Sequence, residues 1–268
     1  MAEATERPAP GFKESHVEAD GLRIRYLQAG QGKPVVMLDT MSWGLSKLHH
    51  ALAQKYCVVT FELPGFGDSP PNTKSQSVRD LANTMAQAAR KVVHEKYTLI
   101  GTSFGANVAL WQTLQAPDQV EALILISPTA IRPAGGPLTG MPEEMARQLL
   151  AHPENVRGLP SVDPAIVARE QALVRRLQGA THDAEAESKL SEIQCATLVV
   201  FGLADKMVAL EAAGIYREKI PNSNVSIVYD AGHLVVAERP EALINAVSDY
   251  VERRETFIVG RQSSIINP

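Results

Sequence analysis

The chain has 268 residues and a mass of 29.0 kDa, room for one large α/β domain or two small ones, and 45% hydrophobic residues are enough to bury a sizeable core. A formal net charge of −4, a pI near 6.0 and no block of like charges give no footing for nucleic acid or an anionic membrane as a partner and point to an ordinary soluble protein. The opening MAEATERPAPGFKES lacks the pattern of a secretory signal and no apolar run approaches ~18 residues, so a reducing, cytoplasmic location is expected, with Cys57 and Cys195 as small buried hydrophobes rather than a disulfide.

In chain order, SHVEADGLRIRYLQAG reads as two short strands around the hairpin dipeptide Asp20-Gly21. Strands and helices then alternate. KPVVMLD and YCVVTFEL are continuous apolar runs of the kind found in parallel strands covered on both faces, with LSKLHHALAQK as the helix between them. The helix VRDLANTMAQAARKVV, the strand YTLIGTS, the helix ANVALWQTLQAPDQV and the strand EALILISP follow. After a break come the strand ATLVVFG, the helix LEAAGIYREKI, the strand NVSIVYD and the terminal helix RPEALINAVSDYVERR. This order predicts a doubly wound, mostly parallel sheet whose site lies beyond the carboxyl ends of the strands. The break, residues 131–193, has no strand-like run and reads as a helical insertion, with Met145, Leu149, Ile166, Leu173 and Leu177 at helical spacing. Leaving the sheet at its carboxyl edge, it is placed to act as a lid, and the same apolar stripe also fits simple packing onto the main domain.

Gly101-Thr102-Ser103-Phe104-Gly105 spells GxSxG between a predicted strand and a predicted helix, where a tight, strained turn lifts the serine above the sheet. A serine hydroxyl needs a base to take its proton and a carboxylate to orient that base. His233, in a loop past a predicted strand, fits the base, whereas His16, His49, His50, His94, His152 and His182 read as surface or packing residues. For the acid, Asp205 follows the strand TLVVFG; Asp230 is nearer in sequence but badly placed to reach round to the imidazole. Arg132 reads as a solvated arginine at the insertion boundary rather than as a partner for a substrate carboxylate. The histidines and cysteines show no metal-ligand spacing, and Gly65 and Gly67 lack the Lys-Ser or Lys-Thr of a phosphate loop.

Taken together, GTSFG, GLADKMV and AGHLVVAERPEAL resemble the α/β-hydrolase superfamily, with ELPGFGDS similar to the family's loop after the fourth strand, Glu62 standing where aspartate is commoner. The resemblance implies a mostly parallel eight-stranded sheet flanked by helices, a core formed by residues 1–130 and 194–268, and residues 131–193 as the family's variable cap. It also implies a serine-hydrolase mechanism with Ser103, Asp205 and His233 as triad and no metal or organic cofactor. The family usually has His-Gly after its third strand, where this chain has Asp39 and Thr40. By position the backbone N–H groups of Phe104 and Met41 form the oxyanion hole. Asp39 either points away and hydrogen-bonds its loop, or tunes the site or selects against anionic substrates.

The expected reaction is hydrolysis of a small, largely apolar carboxylic ester, with Asp39, Thr40, Leu234 and Met145 as candidate pocket residues. Carbon–carbon bond hydrolysis of a ring-cleavage product is the alternative, and cofactor-free lyases, oxygenases and ligand receptors also use the fold. The apolar tail FIVGRQSSIINP either clamps onto the body or crosses to a second subunit, so a homodimer stays open.

Overall fold

The computed structural model describes residues 11–39, 43–133, 147–154, 161–179 and 182–263. Eight strands form one sheet: β1 (Lys13–Ala19), β2 (Leu22–Ala29), β3 (Pro34–Asp39), β4 (Cys57–Glu62), β5 (Tyr97–Thr102), β6 (Val120–Ile126), β7 (Ala196–Gly202) and β8 (Ser223–Val228), in the spatial order 1-2-4-3-5-6-7-8. Only β2 runs against its neighbours, pairing antiparallel with β1 and β4, and every other pairing is parallel. The β1–β2 turn takes positive φ at both Asp20 and Gly21, the backbone that a two-residue hairpin requires.

Among the described residues the helices include α1 (Lys47–Leu52), α2 (Val78–Val92), α3 (Phe104–Gln115), α4 (Pro164–Gln178), α5 (Ala184–Lys189), α6 (Glu211–Lys219), α7 (Val235–Glu238) and α8 (Pro240–Ser263), the last with non-helical backbone at Arg253. Their starts are written locally. Ser77 Oγ accepts the Asp80 N–H at 3.2 Å while Asp80 accepts the Ser77 N–H at 3.1 Å, a reciprocal cap for α2. Asp163 accepts the Ala165 N–H at 2.8 Å ahead of Pro164, which fixes the first turn of α4.

Because the strands are covered on both faces, the core is split in two by the sheet. On one side Val36, Leu38, Leu99 and Leu125 pack with α2, α3 and α6; on the other Val35, Met37, Ile124 and Val200 pack with α1 and α8. Leu173 and Leu177 of α4, Ala186 of α5 and Leu190 are buried in the first cluster, so α4 and α5 share a core with the sheet. Cys57 and Cys195 are only partly buried.

Candidate active site

At the end of β5 the chain turns within one residue into α3. That residue is Ser103, with φ 53° and ψ −116°, a backbone that costs an ordinary side chain of order 1–3 kcal/mol. The turn is tolerated because its neighbours are small. A Cβ at Gly105 would stand 2.1 Å from the Leu38 carbonyl oxygen, and one at Gly101 2.4 Å from that of Gly105, so strand, helix and β3 meet backbone to backbone. The Ser103 N–H donates to Ile126 O at 2.8 Å, which continues the β5–β6 ladder and anchors the turn.

Two strands along, Asp205 follows β7. Its Oδ1 accepts the N–H groups of Met207 (2.8 Å) and Val208 (2.9 Å), which leaves Oδ2 directed at His233 Nδ1 at 2.9 Å. His233, in the loop after β8, reaches Ser103 Oγ with Nε2 at 2.8 Å. An ionised carboxylate only accepts, so Nδ1 carries the ring proton and Nε2 is left to accept from the serine hydroxyl. The side chains of Asp205 and His233 are 2% and 1% exposed. This arrangement can move a proton from Ser103 Oγ to the imidazole while the carboxylate faces the charge that develops. Asp230, the acid passed over in the sequence, is exposed and pairs instead with His152 (2.5 Å) and Arg239 (2.9 Å).

The combination of elbow, relay and sheet topology agrees with the sequence comparison: the chain matches the alpha/beta hydrolase family over residues 38–246. It belongs to that family. Among curated relatives of this alpha/beta hydrolase, 2-hydroxy-6-oxo-6-(2'-aminophenyl)hexa-2,4-dienoic acid hydrolase of Metapseudomonas resinovorans is 24% identical over 285 residues, spanning 93% of this chain and 94% of its own. Pimeloyl-[acyl-carrier protein] methyl ester esterase of Chromobacterium violaceum is 26% identical over 83% of this chain and 96% of its own. The solved structure of the meta-cleavage product hydrolase from Pseudomonas fluorescens IP01 superposes with a TM-score of 0.75, covering 89% of this chain and 97% of its own at 19% identity.

The remaining predicted site residues of this alpha/beta hydrolase divide by position. Phe104 opens α3, so its N–H is among the first-turn donors that have no acceptor within the helix, and its ring stacks on Phe66 with centroids 5.7 Å apart. Asp39 ends β3 in the row of Val35 and Met37, on the sheet face opposite α3, with its carboxylate 4.0 Å from His49 Nε2. Leu234 is half-buried, and its N–H donates to Leu149 O at 3.2 Å. Thr40, Met41 and Met145 lie outside the described residues.

Arg132 departs from its expectation. It is 6% exposed rather than solvated, and burial pulls its guanidinium below the usual arginine range, partly offset by the Asp205 carboxylate. Nothing in the neighbouring sequence marks a buried arginine, because burial depends on tertiary packing that no local pattern records. Among the described residues, no group of three or more His, Cys, Asp or Glu is arranged to hold a metal, and no helix is long and apolar enough to cross a membrane.

Proposed function

We propose that this alpha/beta hydrolase is a serine hydrolase that cleaves a small, largely apolar carboxylic ester through an acyl-enzyme on Ser103. The observation that carries the reading is the continuous relay from Ser103 Oγ through His233 to Asp205, with links of 2.8 and 2.9 Å, at a serine held in strained backbone. His233 takes the Ser103 proton as Oγ attacks the ester carbonyl, and the N–H groups of Phe104 and Met41 receive the developing oxyanion, Met41 by its place in the sequence. The imidazolium then protonates the departing alcohol. A water molecule, deprotonated by His233, attacks the acyl-enzyme and releases the acid, restoring Ser103. Asp205 keeps the imidazole in the productive tautomer throughout. Residues 131–193 serve as the cap over this site.

A second reading is favoured by the names of the relatives. One is a methyl ester esterase, and another acts on a 2-hydroxy-6-oxo dienoic acid at comparable identity, so carbon–carbon bond hydrolysis with the same three residues is the alternative.

The test combines p-nitrophenyl esters of increasing acyl length with a fluorophosphonate and mass mapping of the modified residue. Ester turnover with the label on Ser103, both lost in Ser103→Ala, is the expected outcome; the substitution should cost at least about 10³-fold in turnover. Labelling at Ser103 with turnover of a 2-hydroxy-6-oxo dienoate and not of esters selects the second reading. A label elsewhere, or none, sinks both.

A further inference from the structure

The loop that carries His233 has a support outside the relay. Glu238 ends the single turn of α7, and its carboxylate folds back under the loop. There Oε2 accepts the N–H groups of Gly232 (2.7 Å) and Ala151 (3.1 Å), while Oε1 accepts the N–H of His152 (3.0 Å). Three backbone donors from two segments far apart in sequence, Ala151-His152 and Gly232, thus converge on one side chain. On the other side of His233, the Leu234 N–H donates directly to Leu149 O at 3.2 Å. The backbone is therefore tied to residues 149–152 immediately before and immediately after the imidazole.

The contact has no slack. A Cβ on Gly232 would come within 2.7 Å of Ala151 N and 2.8 Å of Leu149 O, so the two backbones meet without side-chain padding. His233 must hold Nε2 at 2.8 Å from Ser103 Oγ and Nδ1 at 2.9 Å from Asp205 Oδ2 at the same time, and ring rotation cannot restore both if its Cα moves. A displacement of about 1 Å at such a group can cost on the order of 10²-fold in rate. Hydrogen bonds to an ionised acceptor are roughly twice as strong as neutral ones, which suits a carboxylate to this task better than an amide.

We infer that Glu238 is a positioning residue: by holding the N–H groups of Gly232, Ala151 and His152 together it fixes the backbone from which His233 spans Ser103 and Asp205, and it couples that alignment to the seating of residues 149–152. The inference rests on the serine-hydrolase reading above for its catalytic consequence. A perturbation that lifts residues 149–152 off the sheet end loosens the base along with them.

The experiment compares Glu238→Ala and Glu238→Gln with the parent in the full chain, at a temperature where circular dichroism shows all three folded. Fluorophosphonate labelling of Ser103 is expected to slow roughly ten- to a hundredfold in Glu238→Ala. Glu238→Gln should fall between, because one amide oxygen still accepts from Gly232 and Ala151 while the amide nitrogen opposes the His152 N–H. For ester turnover, kcat should fall by more than KM changes. In proton NMR, the His233 Nδ1 proton shared with Asp205 should give a far-downfield resonance, identified by its absence in His233→Gln, that broadens in Glu238→Ala. A merely structural Glu238 lowers the melting temperature and leaves the labelling rate and that resonance unmoved, and this result overturns the inference. If Glu238→Ala does not fold, Glu238→Gln carries the comparison. If Ser103 in the parent is not labelled, the serine-hydrolase reading falls, whereas the resonance still decides on Glu238: broadening keeps the positioning and an unchanged signal removes it.

Discussion

The acid of the relay shows how much one side chain can be asked to do. Asp205 has two oxygens and two tasks, since Oδ1 closes a turn by accepting from Met207 and Val208 and Oδ2 faces His233. In Asp205→Asn the carbonyl oxygen is drawn to the two backbone donors, which turns the amide nitrogen toward Nδ1. The ring must then carry its proton on Nε2, where it can no longer accept from Ser103. The turn survives and the base is lost, so kcat should fall by about 10⁴-fold with little change in thermal stability. Steady-state turnover and the Ser103 labelling rate check this, and a loss below tenfold would remove Asp205 from the proposed mechanism. The meeting of these three side chains was legible because each sits where a strand pattern ends and because they follow in the chain order of the proposed serine, acid and base. Glu238 was not legible. Among the described residues it accepts only backbone N–H groups, two of them from residues 151 and 152, and such partners leave no pattern of side-chain types in the sequence.

At the scale of elements, α4 and the loop after β4 hold one another. Glu170 accepts the buried Gly67 N–H at 2.8 Å, Arg169 donates to the Gly67 carbonyl, and Arg176 donates to the carbonyls of Asn72 and Ser75, each at 2.5 Å. Leu173 fills the space beside Gly65, where a Cβ would be 2.5 Å from its Cδ2. The same loop places Phe66 against Phe104, next to Ser103, so the docking of α4 reaches the elbow through one stacked pair. Glu170→Ala leaves the Gly67 N–H buried without an acceptor, at a cost of about 1–3 kcal/mol. Urea unfolding should register that loss, and hydrogen exchange should quicken in α4 and the 63–75 loop while α2 stays protected. Uniform protection in all three would mean that α4 does not depend on this contact. The ends of α4 were readable from Asp163-Pro164 and Gly179, whereas α5 and α7, at six and four residues, are too short for a 3.6-residue period to declare itself. The arginine and glutamate contacts escaped for another reason: on a helical wheel they fall beside the apolar stripe and read as its solvated flank.

For the molecule as a whole, continuous apolar strands announced a sheet covered on both faces, but which polar side chains are sealed beneath the covering helices depends on how each helix is rotated about its axis. In LSKLHHALAQK the periodicity favours Leu48 and Leu52, and His49 goes under with them, 1% exposed, against β4. Its Nδ1 accepts the Ser46 N–H at 3.1 Å and its Nε2 lies 3.3 Å from Thr60 Oγ1, an arrangement that suits the neutral ring with its proton on Nε2. Burial, reinforced by the neighbouring charge of His50, pushes its pKa down from 6.5 to about 3, although Asp39 lies 4.0 Å away. Between those two values the unfolded chain binds a proton that the folded chain refuses. Stability from this group is therefore complete above pH 6.5 and drains away as the pH falls toward 3, by about 2 kcal/mol between pH 7 and pH 5. His49→Gln removes the titration, so its unfolding free energy, measured in urea at pH 7 and pH 5, should fall less on acidification than the parent's by about that amount. Parallel losses in the two proteins would place the acid sensitivity elsewhere, because the sign of the effect follows from burial and the neighbouring His50 charge and does not depend on what the enzyme cleaves.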